Sequence, residues 1–182
     1  MNKRITYFLA TSWMLLFLCS CARKDKNEET VQRIPPSEEY VRISSDDFQK
    51  LLLVKGEKVY VPVYSEIFGT AMDHKIKLSA MLSVRNTDID DEIIVTTVDY
   101  YDTKGKLIRH YVDDPIVLQP LETANYLVEY KEAKGGSGAN FIVDWVAETE
   151  VTEPIIEAVM IGTASSLGIS FTCQGKVIEY YE

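Results

Sequence analysis

The rhythm of hydrophobic and polar positions changes twice along the chain. From Ile5 to Leu18 most residues are apolar, behind a short positive stretch of Lys3 and Arg4. From Arg23 to Glu39 no apolar period is sustained: charged residues are followed by Pro35-Pro36-Ser37-Glu38-Glu39. From Lys58 onward apolar residues recur at every second position, the period of a strand with one buried face. Leu78, Ala80, Leu82 and Val84 alternate with Ser79, Met81, Ser83 and Arg85. Phe141, Val143, Trp145 and Ala147 fall on one face, with Asn140 and Asp144 on the other.

This pattern predicts strands over 59–64, 77–85, 93–101, 106–112, 116–118, 124–130, 140–147, 155–161, 168–173 and 176–181. Pro62 cannot donate to a ladder, which marks the first of them as an edge strand. Asp102-Thr103-Lys104-Gly105 reads as a hairpin turn, Asp113-Asp114-Pro115 as a strand break, and Gln174-Gly175 as a second turn. A short helix is expected over 46–54. Ser or Asp caps it, Phe48, Leu51 and Leu52 share a face, and Gly56 stops it. Many short strands without intervening helices predict an all-β fold, a single antiparallel immunoglobulin-like β-sandwich. The division is then a cleaved signal peptide at 1–20, a flexible tether with the short helix at 21–57, and the sandwich at 58–182.

A positive n-region followed by an apolar run that stops at Cys19-Ser20-Cys21 is the layout of a secretory signal peptide. Leu18-Cys19-Ser20-Cys21 resembles the lipobox of bacterial lipoproteins. That resemblance implies cleavage between Ser20 and Cys21, diacylglyceryl and palmitate modification of Cys21, and a membrane as partner through the anchor. Ala22 stands where Asp would retain a lipoprotein at the inner membrane, which favours the outer membrane in a Gram-negative cell.

The 182 residues carry a net charge of −9, with 46% hydrophobic residues, three Cys and two His. An acidic balance of this size excludes electrostatically driven nucleic-acid binding. Three Cys and two His exclude a zinc ribbon or a disulfide framework. Loss of residues 1–20 removes Lys3 and Arg4 and no acid, taking the charge from −9 to −11. It leaves Cys173 as the one thiol outside the lipobox.

Two loops carry candidate chemistry. Gly135-Gly136-Ser137-Gly138, leading to Asn140, could cradle an anion on successive amides. It lacks the following helix and the Lys-Ser/Thr pair of a phosphate loop, so a shaped strand connection is the plainer reading. Asp88, Asp90, Asp91 and Glu92 offer hard oxygen ligands of the kind Ca²⁺ takes. Ile93 stands where an EF-hand needs Gly, and a solvated acidic turn between strands accounts for the run. Asp113, Asp114 and Asp144 are the carboxylates a hydrolase would draw on. His74 and His110 have no motif partners. Cys173 shares a face with Ile169 and Phe171, as an interior thiol does.

Val59 to Ile67, Val84 to Asp88, Val98 to Leu107, Gly135 to Trp145 and Pro154 to Thr163 together resemble the blocks of a bacterial domain-of-unknown-function family. Its members are exported, many with lipobox signals. The resemblance spans about 58–178 and transfers no site residue. The Tyr100-to-Gly105 hairpin with Leu118-Gln119-Pro120 is also similar to immunoglobulin-like accessory domains of bacterial envelope proteins. The reading is a cell-envelope lipoprotein acting as a non-catalytic binding or interaction module, with no cofactor and an envelope protein as candidate partner. A Ca²⁺- or small-ligand-binding lipoprotein and an envelope hydrolase are the alternatives.

Overall fold

The computed structural model describes residues 40–71, 74–132, 134–163 and 168–181. The signal peptide, Ser20, Cys21 and the tether up to residue 39 lie outside the described residues. In chain order the elements are β1 (Val41–Arg42), α1 (Ser45–Phe48), β2 (Lys55–Val63), β3 (Glu66–Phe68), β4 (Lys75–Lys77), β5 (Ser79–Arg85) and β6 (Ile93–Tyr101). They continue with β7 (Leu107–His110), β8 (Ile116–Leu118), β9 (Thr123–Val128), β10 (Ala139–Ala147), β11 (Ile155–Gly162), β12 (Ile169–Gln174) and β13 (Lys176–Tyr181). All pairings are antiparallel. The fold is mostly β, as its period-two sequence predicts.

The larger sheet runs β1-β8-β6-β10-β2-β13, with β7 also on β6; the smaller runs β12-β11-β5-β9; β3 and β4 form a separate hairpin. The two sheets share one apolar core. Val59, Val61 and Val63 of β2 and Phe141, Val143 and Trp145 of β10 meet Leu82 and Val84 of β5 and Ala158 and Met160 of β11. Trp145 and Phe141 are the largest of the fully buried side chains. Burying a side chain of this size stabilises the fold by roughly 3 kcal/mol.

Four local expectations are corrected. The 59–64 strand is not an edge strand along its whole length: β13 pairs with β2 from Gly56 to Tyr60. Pro62 lies past that pairing, where β2 has β10 alone as neighbour, so its missing N–H breaks no ladder. The helix is one turn, capped by the Ser44 side chain accepting from the Asp47 N–H, and Leu52 is 80% exposed rather than on its buried face. Residues 40–57 are not all tether. β1 pairs with β8, and Ile43, Phe48 and Leu51 cover Ile94, Val117 and Val146 on the outside of the larger sheet. Gly175 is not a hairpin turn within one sheet; there the chain passes from β12 in the smaller sheet to β13 in the larger. A Cβ on Gly175 would press on Val59 and on the Ile156 carbonyl, so the crossing needs glycine.

The break at Asp113-Asp114-Pro115 is as expected: β7 and β8 lie along the same side of β6 and are separated by residues 111–115. The free edge of β9 is closed by side chains. Tyr40 Oη donates to the Thr123 carbonyl at 3.1 Å and Tyr111 Oη to the Leu127 carbonyl at 3.0 Å. Capping edge carbonyls in this way blunts a strand as a template for pairing.

Candidate functional site

Register places the two candidate loops at opposite ends of the same strands. β6 starts beside the acidic turn and ends beside the glycine turn, and β10 runs the other way. Nine residues of strand separate them by about 27 Å.

At the glycine end, residues 136–138 form a 3-10 turn tied to its neighbours by backbone and side-chain hydrogen bonds. The Gly135 carbonyl accepts from the Thr103 N–H at 2.8 Å and from Thr103 Oγ1 at 2.7 Å. The Gly136 carbonyl accepts from the Ser65 N–H at 3.0 Å, and the Gly138 N–H donates to Thr103 Oγ1 at 3.0 Å. Beneath the turn, Ser65 Oγ and Tyr100 Oη share a buried hydrogen bond of 2.7 Å. A Cβ on Gly135 would overlap the Tyr100 hydroxyl, and Gly136 holds φ +80, in the left-handed region. Asn140 lies on β10, opposite Tyr101 and Pro62. The turn therefore joins the β6–β7 hairpin, the end of β2 and the start of β10. Beside it a small cleft of about 150 Å³ lies among Tyr100, Ile108, Arg109, Tyr111, Val128 and Lys134.

At the acidic end the organising residue is Asn86, which is buried. Its side-chain amide donates to the carbonyls of Asp91 (2.8 Å), Leu118 (3.1 Å) and Gln119 (3.1 Å), while its Oδ1 accepts from the Asp88 N–H at 3.0 Å. Asp88 Oδ1 accepts from the N–H groups of Asp90 and Asp91, and Oδ2 from that of Thr152 at 2.8 Å. These three backbone donors hold its carboxyl well below the usual carboxylate range. Glu92 accepts from the Gln119 side-chain amide at 2.9 Å. Asp90, Asp91, Glu92 and Glu148 open on a cleft of about 400 Å³. Among the described residues no three His, Cys, Asp or Glu side chains converge closely enough to hold a metal ion, so the Ca²⁺ candidates are not gathered into a coordination set.

The remaining candidates are dispersed. Asp144 sits on β10, separated by β6 from the break that carries Asp113 and Asp114. It accepts from Tyr181 Oη at 2.8 Å and lies 3.8 Å from Lys58 Nζ. Glu179 and Tyr181, beside it, raise the Lys58 ammonium above its ordinary value. His110 finds a partner that spacing did not suggest: the β6–β7 register sets its Nδ1 2.6 Å from Asp99 Oδ1, on the outside of the larger sheet. His74 lies beside Gly69 in the β3–β4 hairpin loop. Cys173 is half-buried against the core, and burial raises its thiol pKa.

Sequence reasoning missed two features. Glu57 is buried beside the acidic end, where it accepts from Trp145 Nε1 at 3.2 Å, and desolvation pushes its carboxyl up. The second is an apolar row across the outside of the smaller sheet. Register aligns Thr172, Val159, Met81 and Leu127 on β12, β11, β5 and β9. Leu127, Ile155 and Ile161 are each nearly half exposed. The signal was present in Ile155-Ile156-Glu157-Ala158-Val159-Met160-Ile161, where apolar residues occupy both faces of one strand.

No curated protein matches the chain at a significant level. The crystal structure of Thermotoga maritima 1070 aligns with a TM-score of 0.38 at 8% sequence identity, covering 66% of this chain and 92% of that one. One family model matches residues 56–178, from the second residue of β2 into β13. The chain belongs to that family, DUF3124, described as "Protein of unknown function (DUF3124)".

Proposed function

We propose that this protein is a cell-envelope lipoprotein, anchored by acylated Cys21, whose two sheets form an immunoglobulin-like β-sandwich acting as a non-catalytic interaction module. The outer membrane is its favoured address. The observation that carries the module reading is the apolar row Val159–Met81–Leu127, flanked by Ile155 and Ile161, on the outside of the smaller sheet. Contiguous apolar surface on the outside of a sheet marks a place where another molecule is met. In the two loops, Asn86, Asp88, the Gly135 and Gly136 carbonyls and the Gly138 N–H are engaged within the fold. The lipobox-like Leu18-Cys19-Ser20-Cys21 supports the anchor.

Site-specific photocrosslinking in intact envelopes tests the module. A crosslinker in place of Met81 should give a discrete adduct, and one in place of Tyr60, on the outside of the larger sheet, should not. Equal labelling from both positions, or none from either, overturns it. For the anchor, wild type should take up labelled palmitate and fractionate with membranes, and Cys21→Ala should do neither. A Cys21→Ala chain that still fractionates with membranes, beside wild type that takes up no palmitate, refutes it.

A further inference from the structure

We propose that the partner met by the outer face of the smaller sheet is a second copy of this chain, in an isologous face-to-face dimer; this rests on reading the domain as an interaction module. Three observations lead there. The first is charge. The chain carries −9 overall, which opposes self-association. On this face the charged residues at the outward positions of the four strands are Arg85 and Glu157, 3.4 Å apart, so the face is neutral.

The second is self-complementarity, which a two-fold interface requires. Met81 pairs in register with Val159, Arg85 with Ile155, and Ser79 with Ile161. A two-fold axis along the line between β5 and β11 exchanges these two strands. It sets each Met81 on the second copy's Val159, each Ser79 under the second copy's Ile161, and each Leu127 over the second copy's Thr172. Apart from the central Met81–Val159 contact and Arg85 over the second copy's Ile155, large residues thus face small ones, which lets the layers interdigitate. The same operation brings Arg85 diagonally opposite the second copy's Glu157, so the ion pair can re-form across the interface. The third observation is contrast. Where the outside of the larger sheet carries a cluster of buried apolar residues, Ile94, Val117 and Val146, it is covered by Ile43, Phe48 and Leu51 of the chain itself.

The test uses the full chain in its own envelope, with Cys173→Ser to remove the core thiol. One population carries Met81→Cys and a co-expressed one Val159→Cys. Mild oxidation should give a mixed disulfide dimer at least tenfold faster than Tyr60→Cys with Ile142→Cys, register neighbours on the larger sheet. Arg85→Glu and Glu157→Arg, each introduced alone into both populations, should slow that crosslinking. Placing Arg85→Glu in one and Glu157→Arg in the other should restore it, although both intrachain pairs remain broken. Crosslinking no faster than the control, or no rescue on mixing, overturns the dimer. If the position-81 photocrosslinker then still yields an adduct with another molecule, the module reading stands without the dimer; with no adduct, both fall.

Discussion

The glycine turn and the acidic turn close the two ends of the same sheets, and they do so with opposite hydrogen-bond logic. At residues 135–138 the backbone supplies acceptors: the carbonyls of Gly135 and Gly136 are met by donors from Thr103 and Ser65. At residues 86–92 side chains do the collecting, Asn86 gathering three carbonyls and Asp88 three N–H groups. Glycine is needed at the first because the Tyr100–Ser65 pair leaves no room for a side chain. Short polar side chains are needed at the second because several loops end there with unpaired backbone groups, which burial makes costly. Both compositions resemble ligand sites in sequence. In the fold both are ways of satisfying the chain's own backbone.

If that contrast is right, the largest single loss lies at the acidic end. Asn86→Ala leaves the carbonyls of Asp91, Leu118 and Gln119 and the Asp88 N–H without their partner. It should cost about 2–4 kcal/mol in urea unfolding. A loss under about 1 kcal/mol would show that water replaces the amide easily. At the other end the defect is steric. Gly135→Ala should cost about 1–3 kcal/mol through overpacking. Tyr100→Phe removes the atom the new methyl meets, so the double variant should lose less than the sum of the singles. Strict additivity would break the steric account. Thr103→Val keeps the shape but deletes the hydroxyl that links Gly135 and Gly138, for about 1 kcal/mol.

How much of this was legible follows from which forces act locally. Alternation gave the faces of β5 and β10 correctly, because burial on one side of a strand writes itself at period two. It also placed the break at Asp113-Asp114-Pro115. It could not tell that Gly175 changes sheets, since a turn and a crossing use the same residues and differ only in what lies across. Pro62 marked an edge truly over Val61–Val63, but the C-terminal strand that covers Gly56 to Tyr60 is more than a hundred positions away. Asn86 is one Asn among the polar residues of a turn; its role depends on β8 and β9 reaching the same point. The outer row is visible in hindsight as an apolar excess on both faces of β11, while its alignment with Met81 and Leu127 needed the register.

The smallest predicted effects separate two carboxylates at the acidic end that are shifted in opposite directions. Asp88 is lowered by backbone donors, below its ordinary 3.8. Its contribution is whole above 3.8 and is lost as pH falls through the lowered value, because the unfolded chain takes up the proton first. Asp88→Asn keeps one acceptor oxygen for Asp90 and Asp91 but turns a donor toward the Thr152 N–H. It should lower stability at neutral pH and flatten the decline in acid. Glu57 is raised by burial above its ordinary 4.5, so the folded state binds the proton first. Stability is then greatest below 4.5 and declines as pH rises through the raised value. Glu57→Gln retains an acceptor for Trp145 Nε1 and carries no charge. Its unfolding midpoint should equal wild type below pH 4.5 and exceed it increasingly as pH rises past the raised value, since the buried charge no longer has to be desolvated. If the two variants change the pH profile in the same direction, the carboxylates share one environment and the division of labour at this end is wrong. If they diverge as described, Asp88 is held ionised by the turn it organises, and Glu57 is an acid kept in the core by a single indole.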